Sequence, residues 1–222
     1  MLLLAVDTSG RQGSLALVRA ESSRFDILSL LPLEGRMYSA QLVPALQEAL
    51  QQASLRKTDL DAFVVASGPG SFTGLRVGLS TIKAFAEVFQ KPIAAVSVLE
   101  AAARVTKVDG PVLVAMDAGR KQAFVGEYGA GDPKESLLGW DEFFGIIRNS
   151  TTKAYSPDAP IRAAAASQNV VIQEIPNPHA DTFARIGYEK LLAGVTVAAD
   201  LLEANYLRAS DAELFSLPKL IG

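Results

Sequence analysis

The spacing of apolar positions changes along the chain, and each change predicts an element. Residues 2–6 (LLLAV) form an unbroken apolar run that ends at Asp7, the pattern of a strand buried on both faces. Residues 14–19 and 25–31 follow as two more strands, and DTSGRQG between the first two is a mixture of turn formers. From residue 40 to 53 the period lengthens. Leu42, Leu46, Ala49 and Ala53 recur at helical spacing behind Ser39 as a cap, with Pro44 near the first turn, where it is best tolerated. A strand at 62–67, a glycine-rich turn, a helix at 73–89 and a strand at 93–96 complete the order β-β-β-α-β-α-β.

The second half repeats the first. LLAVDTSGRQ at residues 3–12 parallels LVAMDAGRKQ at 113–122, a constant offset that matches Ala5 with Ala115, Asp7 with Asp117 and Gln12 with Gln122. Each copy is a strand ending in aspartate, a turn, and a second strand (14–18; 123–128). The pattern predicts an α/β chain of two lobes, residues 1–105 and 106–222, in the duplicated actin-like/ribonuclease-H-like (ASKHA) class. Beyond the repeat, YGAGDPKESLLGW is expected as a hairpin turn or loop and SPDAPIRAAAASQNV as a loop with a short alanine-rich helix. Residues 170–174 are expected as a strand and 181–192 as a helix, while Pro218 argues against a helix running to the terminus.

Composition removes several chemistries. The net charge is −3, so the chain lacks the basic footprint with which a free-standing protein holds nucleic acid. Without a cysteine it has no thiolate nucleophile, zinc–thiolate site or disulfide. The single histidine, His179, reads as a loop or helix-start residue, and GPGSFTG around Ser71 does not match G-x-S-x-G. The opening MLLLAVD meets an aspartate too early for a signal peptide or membrane span, which predicts a cytoplasmic protein.

The glycine turn fails both nucleotide fingerprints. The dinucleotide pattern needs glycine where Thr73 stands, and the Walker pattern needs a lysine that is absent between Lys57 and Lys83. Its glycines suit a tight strand–helix turn and close backbone approach. Asp7 and Asp117 remain the weak candidates for a nucleotide or metal site. As turn formers they need no ligand, whereas an actin-like ATPase or small-molecule kinase would use both on Mg–nucleotide. The 73–89 helix points elsewhere: its polar residues occupy an arc of about 80° and its apolar ones roughly 220°, far beyond the ~100° that one sheet covers. The surplus, with Val77, Phe85 and Val88 on it, predicts a subunit interface that Leu42 and Leu46 of the preceding helix would share.

SGPGSFTGLRVG (67–78), LLAVDTS (3–9), MDAGRKQAFVGEY (116–128) and YLR (206–208) closely resemble, in order, the motifs of the bacterial TsaB family, also called YeaZ. The resemblance implies an accessory subunit, without cofactor or catalytic residues of its own, in making N6-threonylcarbamoyladenosine at position 37 of tRNA. Its implied partners are the catalytic relative TsaD and, through the complex, the ATPase TsaE. It further implies a homodimer when the chain is alone, and tRNA reached only through the complex. The catalytic relative carries an H-M-E-G-H metal motif where this chain has VSVLEAA, so Val98 and Ala102 fill the two ligand positions and Glu100 stands alone. Two departures mark this sequence: Tyr38 replaces a histidine common among relatives, and Ala204 replaces the proline usual before YLR.

Overall fold

The structure, a computed structural model, describes residues 1–34 and 37–208. The first sheet is built from β1 (Leu2–Asp7), β2 (Gln12–Glu21), β3 (Arg24–Glu34), β4 (Ala62–Gly68) and β5 (Ile93–Ser97), with α1 (Tyr38–Gln52), α2 (Phe72–Phe89) and α3 (Val98–Val105) following β3, β4 and β5. Its spatial order is β3-β2-β1-β4-β5. β2 runs antiparallel to β1 and β3, and β4 runs parallel to β1 and β5. All six residues of β1 and all seven of β4 are buried, as their unbroken apolar runs predict.

The second half repeats this order element for element: β6 (Val112–Gly119), β7 (Gln122–Tyr128), β8 (Lys134–Gly139), α4 (Trp140–Arg148), β9 (Lys153–Ser156), α5 (Ala159–Ser167), β10 (Gln173–Glu174) and α6 (Ala180–Leu192). Read from β8, its sheet runs β8-β7-β6-β9-β10, the same arrangement as the first. The aspartates keep equivalent places, Asp7 opposite Ser14 and Asp117 opposite Ala123.

Several elements differ from the sequence expectation. The stretch expected as a turn or loop at 128–140 does turn, with Gly129 and Gly131 at φ 81° and 83°, but then forms edge strand β8. Five of the six β8 residues are half-buried, so no clean alternation marks it. Of the strand expected over 170–174 only Gln173 and Glu174 pair, with Tyr155 and Ser156. Helices α3 and α4 were not expected; at 8 and 9 residues they are too short for a long periodic signal. α3 starts directly from β5, where the Ser97 hydroxyl accepts the Leu99 N–H at 3.1 Å. The expectation for Pro218 lies outside the described residues.

α1 and α2 cover the outer face of the first sheet, and α4 and α5 that of the second. Between the sheets lie α3 and α6, and here the two halves of the sequence exchange helices. Phe183, Ala184 and Ile186 of α6 pack on Leu3, Ala5 and Val64 of the first sheet, while Leu99 and Ala102 of α3 pack on Val112, Val114 and Phe124 of the second. Glu100 pairs with Lys190 and Arg104 with Glu189, each at 2.7 Å, joining the two helices at their polar edges. Among the described residues no helix is long and apolar enough to cross a membrane.

Candidate functional site

The glycine turn packs α2 onto the β1–β2 turn. A Cβ on Gly70 would meet the Ser9 carbonyl, and one on Gly74 the Thr8 carbonyl, closer than the 3.0 Å that real side chains respect. These absences of side chain let two backbones touch, and hydrogen bonds lock them. The Ser71 N–H donates to the Ser9 carbonyl at 2.7 Å, and the Thr8 hydroxyl donates to the Gly74 carbonyl at 2.8 Å. Ser71 also caps α2, its hydroxyl accepting the Gly74 N–H at 3.2 Å. Two of the N–H groups that an anion at this helix start would need are therefore bonded within the protein. Tyr38, the first residue of α1, is buried in the core and donates its hydroxyl to the Gly10 carbonyl at 2.9 Å, pinning the same turn.

Asp7 is buried, and one carboxylate oxygen accepts both the Ser9 N–H at 2.9 Å and the Ser9 hydroxyl at 2.6 Å. Burial pushes its carboxyl above the ordinary range, with the Ser9 bonds and the nearby His179 pulling the other way. Asp117 makes the same turn in the second copy, accepting the Gly119 N–H at 2.8 Å, but it is exposed. Its own N–H donates to Asp158 at 2.7 Å, and burial raises the Asp158 carboxyl. Both aspartates thus act as acceptors two residues ahead, the geometry of a turn former. Among the described residues no three His, Asp or Glu side chains gather as a metal site would require.

The interface candidates divide. Leu42 and Leu46 lie 2% and 1% exposed in the chain's own core, because their spacing places them on the face of α1 that meets the sheet. They offer a partner nothing. The outer face of α1 carries Ala40, Val43 and Pro44 among glutamines. On α2, Gly74 is buried against the β1–β2 turn, and Leu75, Gly78, Leu79, Ile82 and Ala86 are buried along an arc of roughly 100°, as much as a sheet covers. Val77 and Phe85 are half-buried and Val88 is 73% exposed. At helical spacing these three fall, with Ala84 and Thr81, on a single flank of α2 beside the buried arc. Phe85 is partly held from within, its ring 6.2 Å from that of Phe63. Val98 and Ala102, which stand where the resemblance implies two metal ligands of the catalytic relative, are both fully buried between the sheets.

The YLR segment joins the lobes, a role its sequence did not reveal. Tyr206 lies against Phe72 at the start of α2 (ring centroids 4.9 Å apart), and Arg76 covers the same Phe72 ring at 3.8 Å. Arg208 donates to the Ala118 carbonyl at 2.6 Å.

A family model described as tRNA N6-adenosine threonylcarbamoyltransferase (TsaD) matches residues 33–139. The TsaB protein of tRNA threonylcarbamoyladenosine biosynthesis from Bacillus subtilis is 36% identical over 129 residues, 58% of this chain and 55% of that protein. A tRNA N6-adenosine threonylcarbamoyltransferase of Wolbachia pipientis (Culex pipiens) is 31% identical over 181 residues, covering 72% of this chain and 53% of the enzyme. The chain thus spans little more than half the length of the curated relatives it matches. A solved structure from Pseudomonas aeruginosa, described as similar to the peptidase YeaZ, superposes with a TM-score of 0.72. It is 22% identical, over 93% of this chain and 99% of that one, which speaks for the fold alone. Two copies of one β-β-β-α-β-α-β-α unit, the same fold in the YeaZ-like structure and the sequence likeness to TsaB together place the chain in the TsaB (YeaZ) family, on an actin-like/ribonuclease-H-like scaffold.

Proposed function

We propose that this chain is a non-catalytic accessory subunit that docks on a TsaD-like catalytic subunit in the synthesis of N6-threonylcarbamoyladenosine on tRNA. The observation that carries the reading is the flank of α2, where Val88 stands 73% exposed beside half-buried Val77 and Phe85. The transferase model that matches residues 33–139 takes in both α1 and α2. A TsaD-like partner therefore offers a homologous helix pair, and the two pairs can meet as a four-helix contact. With no partner present the same face serves a homodimer. Val98 and Ala102, which cannot ligate a metal, leave the chemistry to the partner. The net charge of −3 leaves tRNA binding to the complex, which a TsaE-like ATPase joins in the cytoplasm.

The other reading, an actin-like ATPase or kinase working through Asp7 and Asp117, asks both carboxylates to serve Mg–nucleotide. It is disfavoured by the bonds they already make to Ser9 and Gly119. Titration calorimetry with Mg–ATP separates the two, since micromolar binding with turnover by this chain alone excludes the accessory role.

Association is tested with Val88→Glu and Val77→Glu, each mixed with the TsaD-like protein of the same organism and followed by ultracentrifugation. Val88 supports little of the core, so its variant is expected to fold as the wild type does. An unpaired carboxylate buried at the contact costs several kcal/mol, and about 3 kcal/mol is already a weakening of roughly 100-fold. Wild-type affinity in both folded variants places the contact elsewhere.

A further inference from the structure

In open α/β sheets a ligand sits beyond the carboxyl ends of the parallel strands, at the point where the strand order reverses. In the first sheet that point lies between β1 and β4, and in the second between β6 and β9. Here the carboxyl ends of β4 and β6 meet the protein's own chain. The Asn205 N–H donates to the Ser67 carbonyl at 2.7 Å, at the end of β4. The next residue, Gly68, makes room for it: a Cβ there would lie 3.0 Å from the Asn205 carbonyl, at a φ of 109° that disfavours any side chain. Three residues further on, Arg208 donates to the Ala118 carbonyl at the end of β6 and to the Gln122 side chain at the start of β7, each at 2.6 Å.

One carboxylate ties these contacts together. Glu135 of β8 accepts the Asn205 side-chain amide at 2.6 Å, and it also accepts the hydroxyls of Ser97 and Tyr128. Ser97 belongs to the first sheet, Tyr128 to the second and Asn205 to the connecting segment. Burial, and then the bond to Glu135, push the Tyr128 phenol upward, so it remains a donor at neutral pH. Three donors from three parts of the chain thus satisfy a single half-buried acceptor.

We propose that residues 205–208 are a latch: they lie across the carboxyl ends of β4 and β6 and, through Glu135, fix the two sheets against each other. While it is seated, the chain is a rigid body whose α2 start, through Tyr206 on Phe72, is coupled to the second lobe. The absence of cysteine makes the test direct, because a cysteine pair at Gln47 of α1 and Ala163 of α5 would carry the only spin labels. Diluted with an excess of unlabelled chain, so that only the two labels of one chain are paired even where copies associate, wild type is expected to give one narrow distance distribution by pulsed electron resonance. Glu135→Ala, and separately the double variant Asn205→Ala/Arg208→Ala, should broaden it and shift it to longer distances. Hydrogen exchange at the residue 205 amide should quicken by about tenfold or more in Glu135→Ala, tenfold being ~1.4 kcal/mol of lost protection. The double variant removes only half-buried side chains and keeps the test decisive if Glu135→Ala does not fold. An unchanged distance distribution in the folded variants overturns the latch, because a merely local set of bonds would leave the lobes where they are.

Discussion

Replacing Gly74 by alanine sets two opposed effects against each other. Inside a helix, alanine is more stable than glycine by about 0.5–1 kcal/mol. At Gly145 of α4 nothing lies within 4 Å of the position a Cβ would take, so this gain stands alone and Gly145→Ala should stabilise the protein by that amount. At Gly74 the new Cβ would fall within 3.0 Å of the Thr8 carbonyl oxygen and 3.3 Å from the Tyr38 ring. The carbonyl cannot rotate away, because Asp7, Ser71 and Tyr38 hold the turn on either side. Relief requires α2 to move outward, an overpacking cost of about 1–3 kcal/mol. That movement also weakens the 2.8 Å bond from the Thr8 hydroxyl to Gly74, worth roughly 0.5–1.5 kcal/mol. The net expectation is a loss of about 1–3 kcal/mol, or roughly 2–12 °C in Tm for a chain of this size, against a gain of ~1–4 °C for Gly145→Ala. Thermal melts by circular dichroism, with urea midpoints at unchanged slope, measure both. A Gly74→Ala protein that melts at or above wild type would refute the close approach and reopen the glycine turn as a ligand loop.

Two further outcomes are expected. Asp7→Asn keeps an acceptor for Ser9 and removes a buried charge. The native Asp7 carboxyl is raised, so its contribution to stability falls as pH rises from the ordinary carboxylate range through the raised value. The Asn variant should therefore gain on wild type across that window and lose the advantage in acid, while Asp7→Ala leaves the Ser9 N–H without its acceptor at a cost of about 1–3 kcal/mol. Urea midpoints of the three proteins as a function of pH decide it, and a wild type that strengthens relative to Asp7→Asn as pH rises would contradict the sign. The isolated chain should also show no submicromolar tRNA binding by fluorescence anisotropy at ~0.15 M salt, since its net charge of −3 gives no net attraction to the phosphate backbone. Tight, salt-sensitive binding by the chain alone would make it a tRNA-binding subunit in its own right.

What could be read in advance follows from how local each signal is. β1 and β4 were legible because burial on both faces writes an unbroken apolar run, and α1 and α2 because each spans several turns. The paired turns at Asp7 and Asp117 were legible through the repeat, and their acceptor role two residues ahead is the short-range bonding that turn aspartates favour. The surplus apolar arc of α2 was countable, but its direction was not: which 100° met the sheet depends on how α1 and the strands arrange themselves around it. Leu42 and Leu46 show the same ambiguity, since core and interface residues share one helical spacing. Glu135 left no trace at all. Its partners stand 38, 7 and 70 residues away, and a carboxylate in a stretch expected to turn carries no pattern that foretells them.

The line drawn by the repeat is also not the line drawn by packing. The repeat divides the sequence at 105/106, yet the inner face of the first sheet is closed by α6 from the far end of the second half, and the second sheet by α3 from the first. Gly187 lets α6 come so near β4 that a Cβ there would fall within 3.0 Å of Val64. Neither half can bury both faces of its own sheet without the other, and Leu3, Ala5 and Val64, all fully buried, belong to a core that only the whole chain completes. With α3 and α6 packed between the sheets, α1 with α2 and α4 with α5 form the two outer helical faces. Of these, the α2 flank carries the most exposed apolar side chain of either pair, Val88. On the proposed reading, the exchange of inner helices leaves the outer face of α1 and α2 for a second subunit of the same descent.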